Sequence, residues 1–267
     1  MKLSIVLSTQ PASFSALAYK GQIAENIAKI KSLGYDGVEL AVRDPAALDV
    51  SVLKSLLTKH RLPVPAIGTG QAFGEEGLSF THPDASIRRK AIDRIKSHMS
   101  LAKNLGAIVI IGLVRGKKES NTSGDEVEHW LVEALTECAS ENETVKLAIE
   151  PINRYETGLI NTVASGLKLV DTIGLDNVGL LLDTFHMNIE EPSITESMVA
   201  AGDRLFHFHV ADSNRWHPGA GHIDFGEILA TLDQAGYRGF ISAEILPLPD
   251  PDTAAIRTIE YMRRIAT

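Results

Sequence analysis

The feature that most restricts this chain is an alternation running from end to end. Short apolar, β-branched runs are separated by stretches with helical periodicity. The runs are Leu3–Leu7, Gly37–Val42, Val64–Gly68, Ile108–Leu113, Lys146–Glu150, Val178–Asp183, Leu205–Val210 and Phe240–Ile245. The clearest helical segment is Asp84 to Leu105. Asp84 is placed to cap it, Ile87, Ala91, Ile95, Met99 and Ala102 form one apolar stripe, and Gly106 ends it. The turns Leu33-Gly34-Tyr35-Asp36-Gly37 and Ala235-Gly236-Tyr237-Arg238-Gly239 echo each other, as repeated helix-to-strand connections do. Eight strand–helix units favour a closed (β/α)8 barrel over an open doubly wound sheet. A length of 267 residues fits a single such domain over residues 1–267, since this barrel typically takes about 250 residues. No dinucleotide-type or P-loop glycine pattern follows the first run, so nucleotide folds lose their main support.

Composition narrows the partners. A net charge of −8 argues against nucleic acid, whose binders carry basic patches; a small anionic substrate needs only one or two local cations. The single cysteine, Cys138, cannot form an internal disulfide, which fits a reducing cytoplasm, and it reads as a buried, inert thiol within a helix. Met1–Leu7 reads as a first strand rather than a leader peptide, because its apolar run is short and Ser8-Thr9-Gln10-Pro11 interrupts it. No stretch approaches the roughly 20 apolar residues of a membrane span.

In a barrel of this kind, chemistry sits at the carboxyl ends of the strands. The last polar residues of the late runs are Glu150, Asp183, His209 and Glu244. Strand parity places Ala148 with Glu150, Leu181 with Asp183, His207 with His209, and Ser242 with Glu244 on common faces. With these faces turned inward, three carboxylates and an imidazole converge. Clustered carboxylates repel one another unless a positive charge sits between them. A divalent cation supplies it, and oxygen ligands with one imidazole suit Mn2+ first, then Mg2+ or Co2+. Each acid taken singly also fits a helix-capping role; four on consecutive strands fit it poorly. The segments Gly68–Pro83 and Ser213–Asp224 are expected to cover the site, with Phe73 and Trp216 shaping the pocket or a subunit interface of a dimer or tetramer.

Around these positions lie Glu150-Pro151-Ile152-Asn153-Arg154-Tyr155-Glu156-Thr157, Leu182-Asp183-Thr184-Phe185-His186-Met187-Asn188-Ile189-Glu190-Glu191 and His209-Val210-Ala211-Asp212-Ser213-Asn214-Arg215. With these motifs the chain resembles the xylose-isomerase-like TIM-barrel superfamily, and within it the ketose 3-epimerases acting on D-tagatose and D-psicose. Ala41–Pro45, Ala66–Ala72, Ser79–Pro83, Ile110–Gly116 and Trp216–His222 further resemble the 5-keto-L-gluconate epimerases of inositol catabolism. The resemblance implies Glu150, Asp183, His209 and Glu244 as metal ligands, with Glu150 and Glu244 as the acid–base pair. It implies Glu156, His186 and Arg215 as groups that bind the sugar, and Gln71, inside a branch-like segment, joins them.

A proton beside a ketone is too weakly acidic for a free carboxylate. A cation on the ketone oxygen stabilises the enediolate, and two carboxyl groups on opposite faces remove and return the proton. The expected reaction is epimerisation of a keto-sugar acid, 5-keto-L-gluconate to D-tagaturonate, with Arg115 and Arg43 holding the carboxylate through paired donors. The neutral alternative is D-tagatose, D-psicose or D-fructose. An aldose–ketose isomerase shares the chemistry up to reprotonation and differs only in product. A DNA-repair endonuclease of the same superfamily shares the Asp183–His186 segment, but needs histidines at strand ends that here read Gly68-Thr69-Gly70-Gln71 and Gly112-Leu113-Val114-Arg115. A non-catalytic sugar-binding barrel leaves the paired glutamates unexplained.

Overall fold

A computed structural model of the chain describes residues 1–117 and 122–266. Eight parallel strands form the barrel: β1 (Lys2–Ser8), β2 (Glu39–Ala41), β3 (Ala66–Gly68), β4 (Ile108–Ile111), β5 (Leu147–Ile149), β6 (Val178–Asp183), β7 (Leu205–Val210) and β8 (Phe240–Ala243). β1 pairs with β8 through Lys2↔Phe240 to Ile5↔Ala243, which closes the barrel. A two-residue strand, Tyr19–Lys20, pairs in parallel with the carboxyl end of β1. Each expected run contains one barrel strand, and Glu150 and Glu244 fall one residue beyond theirs.

The strands are apolar because most are buried on both faces. Outward residues such as Leu3, Ile5, Val109, Ile111, Leu147, Leu180, Phe208 and Ile241 enter one large core with the helices. Inward residues Ala66, Ile110, Ala148 and Leu181 form a separate small cluster inside the barrel. The helix Ala85–Leu105 behaves as its sequence predicts: the Asp84 carboxylate accepts from Ser86 N, and Gly106 takes φ 69°, where a side chain would be strained. Cys138 is buried and free, its thiol pushed up to about 12 by burial. Among the described residues no helix is long and apolar enough to cross a membrane.

Candidate active site

At the carboxyl end of its strands the barrel opens as a cavity of about 360 Å3. That lies near the lower end of the usual range for small-molecule sites, about 300–1,000 Å3. Glu150, Asp183, His209 and Glu244 meet there, each offering an atom within 4.8 Å of the others. Asp183 is divided between two tasks. Its Oδ1 accepts from Phe185 N at 2.8 Å and caps the helix Thr184–Glu190, while its Oδ2 is buried without a partner. Glu150 Oε1 and His209 Nδ1 are also buried without partners. Three orphaned polar atoms in one place are costly unless something binds them. The site therefore fits a divalent cation, and carboxylate oxygens with one imidazole suit Mn2+, Mg2+ or Co2+. Gly112 leaves room for this arrangement, since a Cβ there would lie 3.0 Å from Glu150 Oε2.

Electrostatics follow from burial. Burial and the Glu244 carboxylate raise Glu150 well above the usual carboxylate range. Burial raises Glu244 to about 7, against the lowering pull of His209 and Arg215. Burial also raises Asp183, against His209 and Arg215. For His209, burial alone would lower the imidazole, but Glu39, with Glu244 and Glu150, outweighs it and brings the group to about 10.

His186 is buried, with Nδ1 accepting from Asn153 Nδ2 at 2.8 Å and Nε2 lying 3.6 Å from Glu150 Oε1. The amide donor at Nδ1 fixes the tautomer, so Nε2 carries the hydrogen and presents it to the cavity. Burial, helped by Arg215 and Arg115, keeps this ring far below its ordinary value and hence neutral. Arg215 has φ 62°, a left-handed conformation that costs energy for a side chain of this size. Its guanidinium donates to Glu156 Oε1 at 2.8 Å and Glu244 Oε2 at 3.1 Å, between the rings of Phe14 and Phe185. Gln71 lines the cavity, donates to Ser8 Oγ at 2.7 Å, and leaves its carbonyl oxygen buried without a partner.

Two expectations need correction. Arg115 is fully buried and does not line the cavity. Its Nε donates to Leu159 O, Nη1 to Gly112 O and Glu150 O, and Nη2 to Leu159 O and Ile160 O. All five N–H groups are spent on backbone carbonyls, so none remains for a substrate carboxylate. Arg43 also lies outside the lining; it donates to Pro11 O at 2.7 Å and sits 3.9 Å from Glu75. Phe73 and Trp216 do not line the cavity either, although Gly70, Gln71 and Glu75 from the first expected cover and Arg215 from the second do.

Three residues escaped the sequence reading. Phe14 lines the cavity from the loop after β1, which Ser13 ties to Glu75. Asn153, within the Glu150–Thr157 motif, bonds both His186 and Glu156. Glu39 is buried behind His209. A lone glutamate inside the apolar run Gly37–Val42 was the available signal for it.

Comparison with known proteins agrees with this geometry. A family profile described as xylose isomerase-like TIM barrel matches residues 27–265. An L-ribulose 3-epimerase from Methylomonas sp. is 33% identical over 227 residues, covering 82% of this chain and 76% of that protein. A 3-dehydro-D-guloside 4-epimerase from Escherichia coli is 27% identical over 270 residues, covering 96% of this chain and 98% of that protein. The crystal structure of a D-allulose 3-epimerase from Methylomonas sp. in complex with D-allulose superposes with a TM-score of 0.84 at 27% identity, over 99% of this chain and 96% of that one. These relatives are carbohydrate epimerases, a class of isomerase, and this chain is an enzyme of that class. With the profile spanning nearly its whole length, the chain belongs to the xylose isomerase-like TIM barrel family.

Proposed function

We propose that the chain is a divalent-cation-dependent keto-sugar epimerase, inverting the carbon beside a ketone with Glu150 and Glu244 as its acid–base pair. The observation that carries this reading is the convergence of Glu150, Asp183, His209 and Glu244, with three of their buried atoms unpartnered. A divalent cation held by these four, Mn2+ in the first place, would polarise the ketone and so make the neighbouring proton removable. Epimerisation needs one carboxyl group to take that proton and another to return one to the opposite face. Glu150 and Glu244 suit the division, because burial raises both and repulsion between them favours one shared proton. His186 donates from Nε2 to a substrate oxygen, and Arg215 and Glu156 hold the sugar beside Glu244. Gln71 accepts from a substrate hydroxyl.

The lining favours a neutral ketose of the D-psicose, D-tagatose, D-fructose or L-ribulose kind over 5-keto-L-gluconate. Among the described lining residues Arg215 is the only arginine or lysine, and both of its terminal nitrogens are engaged by Glu156 and Glu244. Glu39, Glu75, Glu150, Glu156 and Glu244 surround the same cavity. A substrate carboxylate would meet this field without the arginine that the keto-acid reading needs, and a nucleic-acid backbone would fare worse.

The test is a proton NMR product assay in D2O with Mn2+, offering each neutral ketose and, separately, 5-keto-L-gluconate. The expected result is an epimer carrying one solvent deuterium at the inverted carbon, with the neutral ketoses turned over faster. The deuterated position also distinguishes inversion at carbon 3 from inversion at carbon 4. An aldose product would replace the epimerase reading with an isomerase. Faster turnover of the keto acid would restore that substrate to first place.

A further inference from the structure

We infer that Glu39 is a positioning residue that fixes which nitrogen of His209 faces the metal ligands. Glu39 opens β2 and reaches across the barrel interior to β7, where it is 1% exposed. Its Oε2 lies 2.7 Å from His207 Nε2, and its Oε1 and Oε2 lie 3.0 and 3.1 Å from His209 Nε2. An ionised carboxylate only accepts, so each Nε2 carries the hydrogen of its bond. His207 and His209 stand edge to face, 5.2 Å between ring centres, and clamp the carboxylate between them.

The consequence falls on the other side of the His209 ring. With the hydrogen held at Nε2, a neutral His209 has its lone pair on Nδ1. That atom is buried, has no partner, and lies 3.9 Å from Asp183 Oδ2 on the side of the four converging ligands. Without Glu39 the hydrogen can move to Nδ1, where it would block coordination. A carboxylate behind a ligating histidine commonly performs this service, and its loss typically weakens metal binding about 10–100-fold. The assignment also explains a buried charge inside an apolar strand, which a purely structural role would not justify.

The inference rests on the proposed reading of His209 as a ligand, and the experiment separates the two. Mn2+ affinity is measured by titration of the free-ion EPR signal for the parent, Glu39→Gln, Glu39→Asp, His207→Ala and His209→Ala, with the melting temperature of each metal-free protein as a folding control. Glu39→Gln keeps the shape but turns one oxygen into a donor, so one imidazole must give up its Nε2 hydrogen. We expect about 10–100-fold weaker binding for Glu39→Gln, a smaller loss for Glu39→Asp, and at least as large a loss for His209→Ala. Loss with His209→Ala but parental affinity in Glu39→Gln overturns the role of Glu39 alone. Parental affinity in His209→Ala overturns the metal reading itself. A second Mn2+ equivalent that disappears in His207→Ala would make Glu39, His207 and His209 a metal site of their own and also overturn the inference. Should the Glu39 variants fail to fold, 15N-histidine NMR of the Mg2+-loaded parent decides. It is expected to show His209 protonated at Nε2 and not at Nδ1, and the reverse would refute the proposal.

Discussion

Apart from Asp183, strands β3 to β6 line the barrel interior with apolar side chains, whereas β7, β8, β1 and β2 bring polar ones there as well. In the first half Ala66, Ile110, Ala148 and Leu181 pack together, with Ile108 of β4 and, from across the boundary, Phe206 of β7 against them. In the second half His207, Ser242, Ser4 and Glu39 are buried on the inward face, alongside the apolar Val6 and Ala41. Strand register sets Leu181 beside His207, and Ser4 beside Ser242, so the two linings abut directly. The apolar half is ordinary barrel filling, stabilised by removing hydrocarbon from water. The polar half carries a desolvation cost that its internal bonds only partly offset. Glu39 is answered by two histidines, but the Ser4 and Ser242 hydroxyls have no partner. Nothing in the structure explains those two hydroxyls. A fold accepts such a cost where function gains from it, which assigns stability to one half and support of the site to the other.

That division can be broken most directly with two kinds of substitution. Glu150→Gln and Glu244→Gln should each lower turnover about 10²–10⁴-fold, the usual worth of a general acid or base, without lowering the melting temperature of the metal-free protein. Leu181→Ala should do the opposite, costing about 2–5 kcal/mol of stability while the folded enzyme keeps its turnover within a few fold. Chemical denaturation and initial rates on the same preparations measure both. If Leu181→Ala cost as much turnover as Glu150→Gln, the two halves would not be separable in function.

Arg115 sharpens the contrast, because a charge at the rim of the site belongs to the stability side. Burial lowers its guanidinium to about 10, against the raising influence of Glu150 and Glu156. Its five donors tie the turn Gly112–Arg115 to Glu150 O and to Leu159 and Ile160. Arg115→Ala strands those carbonyls, and a loss on the order of 3–5 kcal/mol is expected. Any folded Arg115→Lys protein should show KM values for neutral and anionic ketoses changed in the same proportion. A KM increase confined to 5-keto-L-gluconate would contradict this and return Arg115 to the substrate.

The history of these residues shows what a sequence displays and what it hides. The strands were legible because apolar runs and helical stripes repeat with regular spacing. The four converging residues were legible because barrel chemistry gathers at strand ends, and Glu150, Asp183, His209 and Glu244 are the last polar residues of four successive runs. For Arg115 and Arg43, position after a strand gives the correct end of the barrel but not the direction of the side chain. Direction and hydrogen-bond saturation depend on the backbone of the turn Leu113–Arg115 and of the loop near Pro11, which periodicity does not encode. Glu39 was hidden for a different reason. Its partners His207 and His209 lie 168 and 170 residues away, and only barrel closure brings them together.

A smaller effect should appear in the pH dependence of the metal-free protein. Glu150, Asp183 and Glu244 are all raised in the fold, chiefly by burial. A raised carboxylate contributes stability that is fully present below its unfolded value and is lost as pH rises through its folded value. For Glu244 that window runs from 4.5 to about 7. His209, raised from 6.5 to about 10, has the same sign at higher pH. Glu39 is held below its ordinary value because His209 and His207 outweigh burial, so its contribution is lost only in acid. The melting temperature without metal should therefore fall by on the order of 5 °C between pH 5 and pH 8, and Mg2+ or Mn2+ should flatten that slope. A melting temperature that rises over this interval in metal-free protein would show that burial does not hold these carboxylates above their ordinary values.

The smallest expected effect belongs to Gln71, which lies on the apolar side of the barrel but behaves as part of the site. It follows β3, whose Ala66 helps fill the apolar half, and it turns its amide toward the polar half. Its nitrogen is committed to Ser8 Oγ at 2.7 Å, and that hydroxyl donates to Gln10 O at 2.5 Å. This short chain orients the amide so that the carbonyl oxygen, buried and without a partner, is the end not committed within the protein. A hydroxyl of the substrate bonding there should contribute about 1 kcal/mol, so Gln71→Leu should raise KM by roughly tenfold or less with little change in turnover. Substrates lacking one hydroxyl identify the partner: the deoxy sugar whose KM is the same for the parent and for Gln71→Leu is the one missing the group that Gln71 binds. If Gln71→Leu left every KM unchanged, its unpartnered carbonyl would face no substrate atom. The boundary between the two halves would then fall between Gln71 and Glu150, rather than running through β3.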